Sequence, residues 1–227
     1  MATANTPQLI VSPFTPSQIA LPQSVSGQRL ISFLDPHVSA PNTSGHRLEE
    51  ILSWDNDRLS NERGYTCWLF PVAFGSDLLD QQTIIYIRSQ NAILRNFRAS
   101  FTRMMFFYGF DVSWDQKDES RLVISYAQDN RDAFKRWLKD ADHNHSRIAR
   151  MLISLRVFCL EQEALTAYES FLTINGNFGS PVSNASLQLW THSVNDSLFG
   201  ISQGLLNYQP QFFVRRVSET NDTQQPT

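Results

Sequence analysis

Residues 90–108 read Q-N-A-I-L-R-N-F-R-A-S-F-T-R-M-M-F-F-Y. Ile93, Phe97, Phe101, Met104, Met105 and Tyr108 recur at steps of three and four, while Arg95, Arg98 and Arg103 fall on other faces. An apolar stripe with that period predicts a helix packed on a core, and Gly109 after it is a stop. The period returns from Asp142 in D-H-N-H-S-R-I-A-R-M-L-I-S-L-R-V-F-C-L. A helix is expected over about 144–160, with Ile148, Met151, Leu152, Leu155, Phe158 and Cys159 inward and Arg147, Arg150 and Ser154 on another face. Asp142 or Asn144 can cap it, because a short oxygen-bearing side chain accepts the first orphan amide hydrogens. Shorter helical patterns occupy about 46–53, 61–70, 78–88, 130–140, 161–173 and 186–206. Only L-V-I-S-Y at 122–126 has strand composition, and in this setting it reads as one more helical segment. The class is all-α, a single helical domain around an aromatic-rich core.

The organisation follows from what surrounds that core. Pro7, Pro13, Pro16, Pro22, Pro36 and Pro41 punctuate the first 45 of 227 residues, so 1–45 reads as an extended Pro/Ser-rich arm, with L-I-S-F-L at 30–34 as an anchor point. Residues 46–210 form the helical domain, and 211–227 a short disordered tail rich in Thr and Gln. Deleting residues 1–28 and 218–227 is expected to cost little stability. Lys and Arg number 19 against 22 Asp and Glu, a net charge of −3 that argues against nucleic acid as a partner. The sign is uneven: residues 88–156 carry net +5 between two flanks of net −4. That asymmetry fits either an anionic ligand or packing of one segment on another. Cys67 and Cys159 sit among aromatic and aliphatic neighbours and read as buried free thiols. No signal-like opening and no run of about 18 apolar residues is present, so an intracellular protein, cytoplasmic or nuclear, is expected; peripheral membrane association stays open.

Three segments carry a family likeness. Residues 53–71, S-W-D-N-D-R-L-S-N-E-R-G-Y-T-C-W-L-F-P, are followed by F-R-A-S-F-T-R-M-M-F-F-Y-G at 97–109 and by the Asp142 segment above, which continues to Glu161. In order and spacing they resemble the conserved N-terminal domain of the opioid growth factor receptor family over about residues 46–172. The family's Glu and His before the tyrosine are absent, with Asn61 and Arg63 in that stretch, and Cys67, Ser146 and Ala149 also depart from the pattern. The resemblance implies a helical fold, a receptor-type role towards a peptide or small acidic ligand, and a place at the nuclear periphery.

The candidate ligand-binding residues are Trp54, Asp55, Tyr65, Trp68, Tyr108, His143, Asn144, His145, Arg147 and Arg150. Two guanidinium groups one turn apart can fork onto a carboxylate or phosphate, or can pair inside the fold with Asp55, Asp57 or Glu62. Trp54, Tyr65, Trp68 and Tyr108, with Phe70, Phe106, Phe107 and Trp137, could line a groove or fill the core. His143 and His145 diverge by roughly 200° on an ideal helix, so they are not a metal pair. No cofactor, metal or nucleophile signature occurs, and no catalytic residue is assigned. Two other functions stay open: a small-molecule-pathway enzyme with a polar pocket around Asp55, His143, His145 and Tyr108, or a structural adaptor with every aromatic buried and every arginine paired.

Overall fold

The computed structural model describes residues 19–72, 79–114, 122–196 and 198. In chain order the helices are α1 (Val25–Leu34), α2 (Leu48–Ser53), α3 (Asn56–Asn61), α4 (Tyr65–Leu69), α5 (Gln81–Ser89) and α6 (Asn91–Phe107). A hairpin of β1 (Phe110–Trp114) and β2 (Leu122–Tyr126) follows. The chain then runs through a 3-10 stretch over Gln128–Arg136 into α7 (His143–Val157), α8 (Glu161–Asn177) and α9 (Asn184–Asn195). This is a mostly helical single domain with one small sheet.

The stripe of α6 is the axis of the core: Ile93, Phe97, Phe101, Met104 and Met105 are each at most 1% exposed. Tyr108 follows the last turn and is as deeply buried. Gly109 ends the helix for two reasons. Its φ of +101° is a region that side chains disfavour, and a Cβ there would press into the ring of Phe134. In α7 the stripe Ile148, Met151, Leu152 and Leu155 is buried, as are Phe158 and Cys159 beyond its end. Asp142 is the cap, accepting the amide hydrogen of Asn144 at 2.8 Å. α8 and α9 pack on α7 and trap an aromatic knot of Phe110, Phe134, Trp137, Phe171 and Trp190. The Trp137 ring lies 5.0 Å from Phe171 and 6.0 Å from Trp190, and truncating it would cost about 3–5 kcal/mol.

Three segments differ from the sequence-based expectation. L-V-I-S-Y is strand, pairing antiparallel with Phe110–Trp114 in the register Phe110↔Tyr126, Val112↔Ile124 and Trp114↔Leu122. Once Gly109 has stopped α6, the β-branched Val123 and Ile124 fit a ladder better than a helix turn. The stretch expected as an extended arm holds α1, whose Leu30, Phe33 and Leu34 are fully buried; the anchor at 30–34 therefore packs as the second half of a helix. Residues 22–28 are tied in as well. The Ser24 side chain caps α1 and donates to Asp80, which itself caps α5, so these contacts argue against the expectation that deleting 1–28 is cheap. Third, α3 precedes the helical pattern expected at 61–70, of which 65–69 is α4. The expected tail at 211–227 lies outside the described residues.

Candidate functional site

Of the eight arginines in the net-positive middle of the chain whose side chains are described, five act in one way. Helix C-termini leave carbonyls without intrahelical donors and carry partial negative charge, so a guanidinium there satisfies both needs. Arg103 donates to Leu52 O and Trp54 O at the end of α2, with its Nη2 2.6 Å from Trp54 O. Arg147 donates to Leu59 O (3.1 Å) and Glu62 O (2.9 Å) at the end of α3. Arg136 donates to Phe107 O closing α6, Arg88 to Val157 O closing α7, and Arg156 to Ser193 O and Asp196 O closing α9. Arg98 instead pairs with the Glu163 carboxylate at 2.9 Å. Packing of segment on segment thus accounts for much of the charge asymmetry, mainly through backbone carbonyls.

Arg150 stands apart. Its Nη1 is enclosed, and the side chain makes no hydrogen bond or ion pair among the described residues. A buried donor without an acceptor costs on the order of 1–3 kcal/mol; Arg103 Nη1 is also unpartnered, but the other nitrogens of that side chain are bonded to the fold. Arg63, exposed on the turn before α4, is likewise without hydrogen bond or ion pair among the described residues.

Both arginines line one cavity of about 440 Å³ between α7 and the 59–72 stretch. That stretch is strapped to α7 twice, by the Arg147 bonds to Leu59 O and Glu62 O and, two turns on, by Ser154 Oγ donating to Pro71 O at 2.6 Å. Between the straps α7 presents His143, Ser146, Arg147, Arg150 and Ile153, which steps of three and four place on one face. Opposite lie Arg63, Gly64, Thr66 and Val72, and Leu189 of α9 closes the apolar end. Gly64 turns the chain with φ +81°, which sets Arg63 at the mouth. Three guanidinium groups and an imidazole line the cavity, and no carboxylate does. Burial lowers the pKa of His143, and Arg147, Arg63 and Lys139 add to that against the opposing charge of Asp142. Burial works against the Asp142 carboxylate, but bonds from Lys139 and the Asn144 amide outweigh it and hold its pKa down. Asp142 is thereby committed to the cap of α7.

Of the ten sequence candidates, His143, Arg147 and Arg150 come together at this cavity. Asn144 and His145 face inward. His145 Nε2 lies 2.7 Å from Trp137 O, which makes it the donor, and Nδ1 then accepts from Ser186 Oγ at 2.8 Å. Asn144 donates to Arg136 O and accepts from Arg147. Asp55 caps α3, accepting from the Arg58 amide at 2.7 Å, and makes no salt bridge to Arg147 or Arg150 among the described residues. The four aromatics are core. Trp54 packs edge-on to Tyr65, with Arg58 stacked 4.1 Å over it, and Trp68 packs edge-on to Phe33. The Tyr65 hydroxyl donates to Leu59 O, and burial pushes its pKa up to about 12, against Arg147 and Arg103. Tyr108 is fully buried, and burial raises its phenol well above the ordinary value.

Sequence reasoning missed the remaining lining. Ser146 and Ile153 were legible, since they share the i+3/i+4 stripe of Arg147 and Arg150. Val72 and Leu189 arrive from distant elements and leave no local signal. No group of three His, Cys, Asp or Glu among the described residues could hold a metal, and no described helix is long and apolar enough to cross a membrane.

Comparison with known proteins agrees with the motifs. No curated protein and no solved structure matches the chain. A family model described as the opioid growth factor receptor (OGFr) conserved region matches residues 33–209, well over half of the sequence and all of the elements from α2 to α9. The chain therefore belongs to the opioid growth factor receptor family.

Proposed function

We propose that this domain is a receptor-like binding module that takes an acidic ligand, a peptide or small acid, with the anionic group in the cavity between α7 and residues 59–72. The observation that carries the reading is the charge of the cavity: Arg63, Arg147 and Arg150 line it without a carboxylate, and Arg63 and Arg150 make no hydrogen bond or ion pair among the described residues. In the empty protein these like charges are uncompensated, and an entering anion supplies the missing charge. The apolar wall of Val72, Ile153 and Leu189 gives the rest of the ligand a surface to lie on. By the family reading the protein works inside the cell, at the nuclear periphery.

Calorimetric titration of an acidic peptide tests this. Binding should saturate, weaken with added salt and weaken by about tenfold in Arg150→Gln without loss of stability. Affinity unchanged in Arg150→Gln, or no binding to acidic probes, would refute it. The adaptor reading has support of its own in the burial of Trp54, Tyr65, Trp68 and Tyr108, which removes them from any groove wall. It requires every arginine to be internally paired, and among the described residues Arg29, Arg63, Arg95 and Arg150 are exceptions, of which Arg63 and Arg150 share the cavity.

A further inference from the structure

We infer that the anion this cavity takes is a phosphomonoester carried on a peptide side chain, in preference to a carboxylate. The inference rests on the anion-binding reading above and names the chemistry of the group bound.

The first argument is charge. A carboxylate carries one negative charge and two acceptor oxygens, and a single guanidinium fork satisfies it. The cavity offers Arg63 and Arg150, both without hydrogen bond or ion pair among the described residues, beside the charge of Arg147, with no acidic side chain in the lining. A phosphomonoester carries about −1.5 to −2 charge at neutral pH and three acceptor oxygens. Its charge and its acceptor count match a site with two unpaired guanidinium groups better than a carboxylate's do. The second argument is the division of labour among the arginines. Arg147 is held by Leu59 O, Glu62 O and Asn144 Oδ1, so it contributes a fixed charge and its donors stay with the fold. Arg63 and Arg150 keep their donors, one on each side of the cavity. Fixed charge at the base with free forks on two walls suits a tetrahedral dianion better than a planar monoanion.

The third argument concerns what bears the phosphate. At about 440 Å³ the cavity is far larger than one phosphate group, and its far end is apolar, formed by Val72, Ile153 and Leu189. A phosphorylated side chain with an apolar neighbour fills both ends. A flat bilayer surface would leave the apolar end unfilled.

The test uses the full chain and two pairs of probes, read by calorimetry and by amide chemical shifts. The small probes are phenyl phosphate and benzoate. The peptides are acetyl-Leu-phosphoserine-Leu-amide and its glutamate counterpart. The phosphorylated member of each pair should bind at least about tenfold tighter, from its larger charge and extra acceptor. Arg150→Gln and Arg63→Gln should each weaken phosphopeptide binding by about tenfold while the melting temperature holds, and Arg63, being exposed, keeps the test sound if the other variant misfolds. Equal affinity within each pair overturns the phosphate inference and leaves the anion reading standing. Failure of all four probes overturns both. Inorganic phosphate binding as tightly as the phosphopeptide overturns the peptide source. Co-sedimentation with phosphatidylcholine vesicles containing phosphatidic acid, without phosphopeptide binding, assigns the site to a membrane instead.

Discussion

Replacing Arg147 and Arg150 separately by alanine divides two roles that the sequence presents as one motif. Arg147 donates to Leu59 O at 3.1 Å, to Glu62 O at 2.9 Å and to Asn144 Oδ1 at 3.4 Å, and lies 5.3 Å over the Tyr65 ring. Hydrogen bonds from a charged group contribute about 1.5–3 kcal/mol each in favourable settings. Here Leu59 O keeps the Tyr65 hydroxyl as a second donor and the 3.4 Å bond is weak, so the loss falls to about 2–3 kcal/mol in all. For a domain of this size that is a drop in Tm of about 5–10 °C. Arg150→Ala removes an enclosed donor that nothing accepts and relieves like charge one turn from Arg147, against the lost packing of its stem. These terms cancel to within about 0.5 kcal/mol, under about 2 °C. Differential scanning calorimetry and urea unfolding measure both variants, with and without phenyl phosphate, which should raise the Tm of the parent more than that of either mutant. Equal destabilisation of the two variants would refute the reasoning, because Arg150 would then have a partner inside the fold.

Further outcomes follow from the same geometry. His143 has its pKa lowered in the fold, so the unfolded chain binds the proton more readily; stability should fall as pH drops below about 6.5, in a window above the carboxylates, and His143→Gln should flatten that slope in urea titrations. Ser24→Ala removes the cap of α1 and the bond to Asp80, costing about 1 kcal/mol, a loss of about 2–4 °C in Tm that calorimetry would detect. Burial pushes the Cys159 thiol up to about 11, so thiol reagents near neutral pH should modify at most one cysteine, Cys67, in the native protein and two after unfolding. Two fast thiols in the native state would mean that the junction of α7 and α8 is not packed as described.

How far the fold was legible depended on the length of the periodic run. α6 and α7, at 17 and 15 residues, repeat their stripes four times over, and every side chain expected inward is buried. α1 was obscured because prolines at 22 and 36 flank it, and flanking prolines mark helix boundaries as readily as extended chain. The hairpin was obscured because F-D-V-S-W and L-V-I-S-Y are five residues each, too short for alternation to outweigh the helical surroundings. What decided it was tertiary: Gly109 stops α6 and turns Phe110 onto Phe134, Trp137 and Phe171.

The candidate site shows a different kind of limit. Sequence reading looked for carboxylate partners to the arginines, since opposite charges are visible in a string of letters. The structure pairs them chiefly with carbonyls at helix ends, acceptors that every residue carries and that become available only where a helix stops. Arg88, Arg103, Arg136, Arg147 and Arg156 each close a different helix in this way. Arg150 and Arg63 make no such bond among the described residues, and of the arginines left unpaired these two share one cavity. Whether a basic residue staples the fold or faces a ligand is therefore set by where neighbouring helices end. Arg147 and Arg150, three residues apart on one helix, fall on opposite sides of that division.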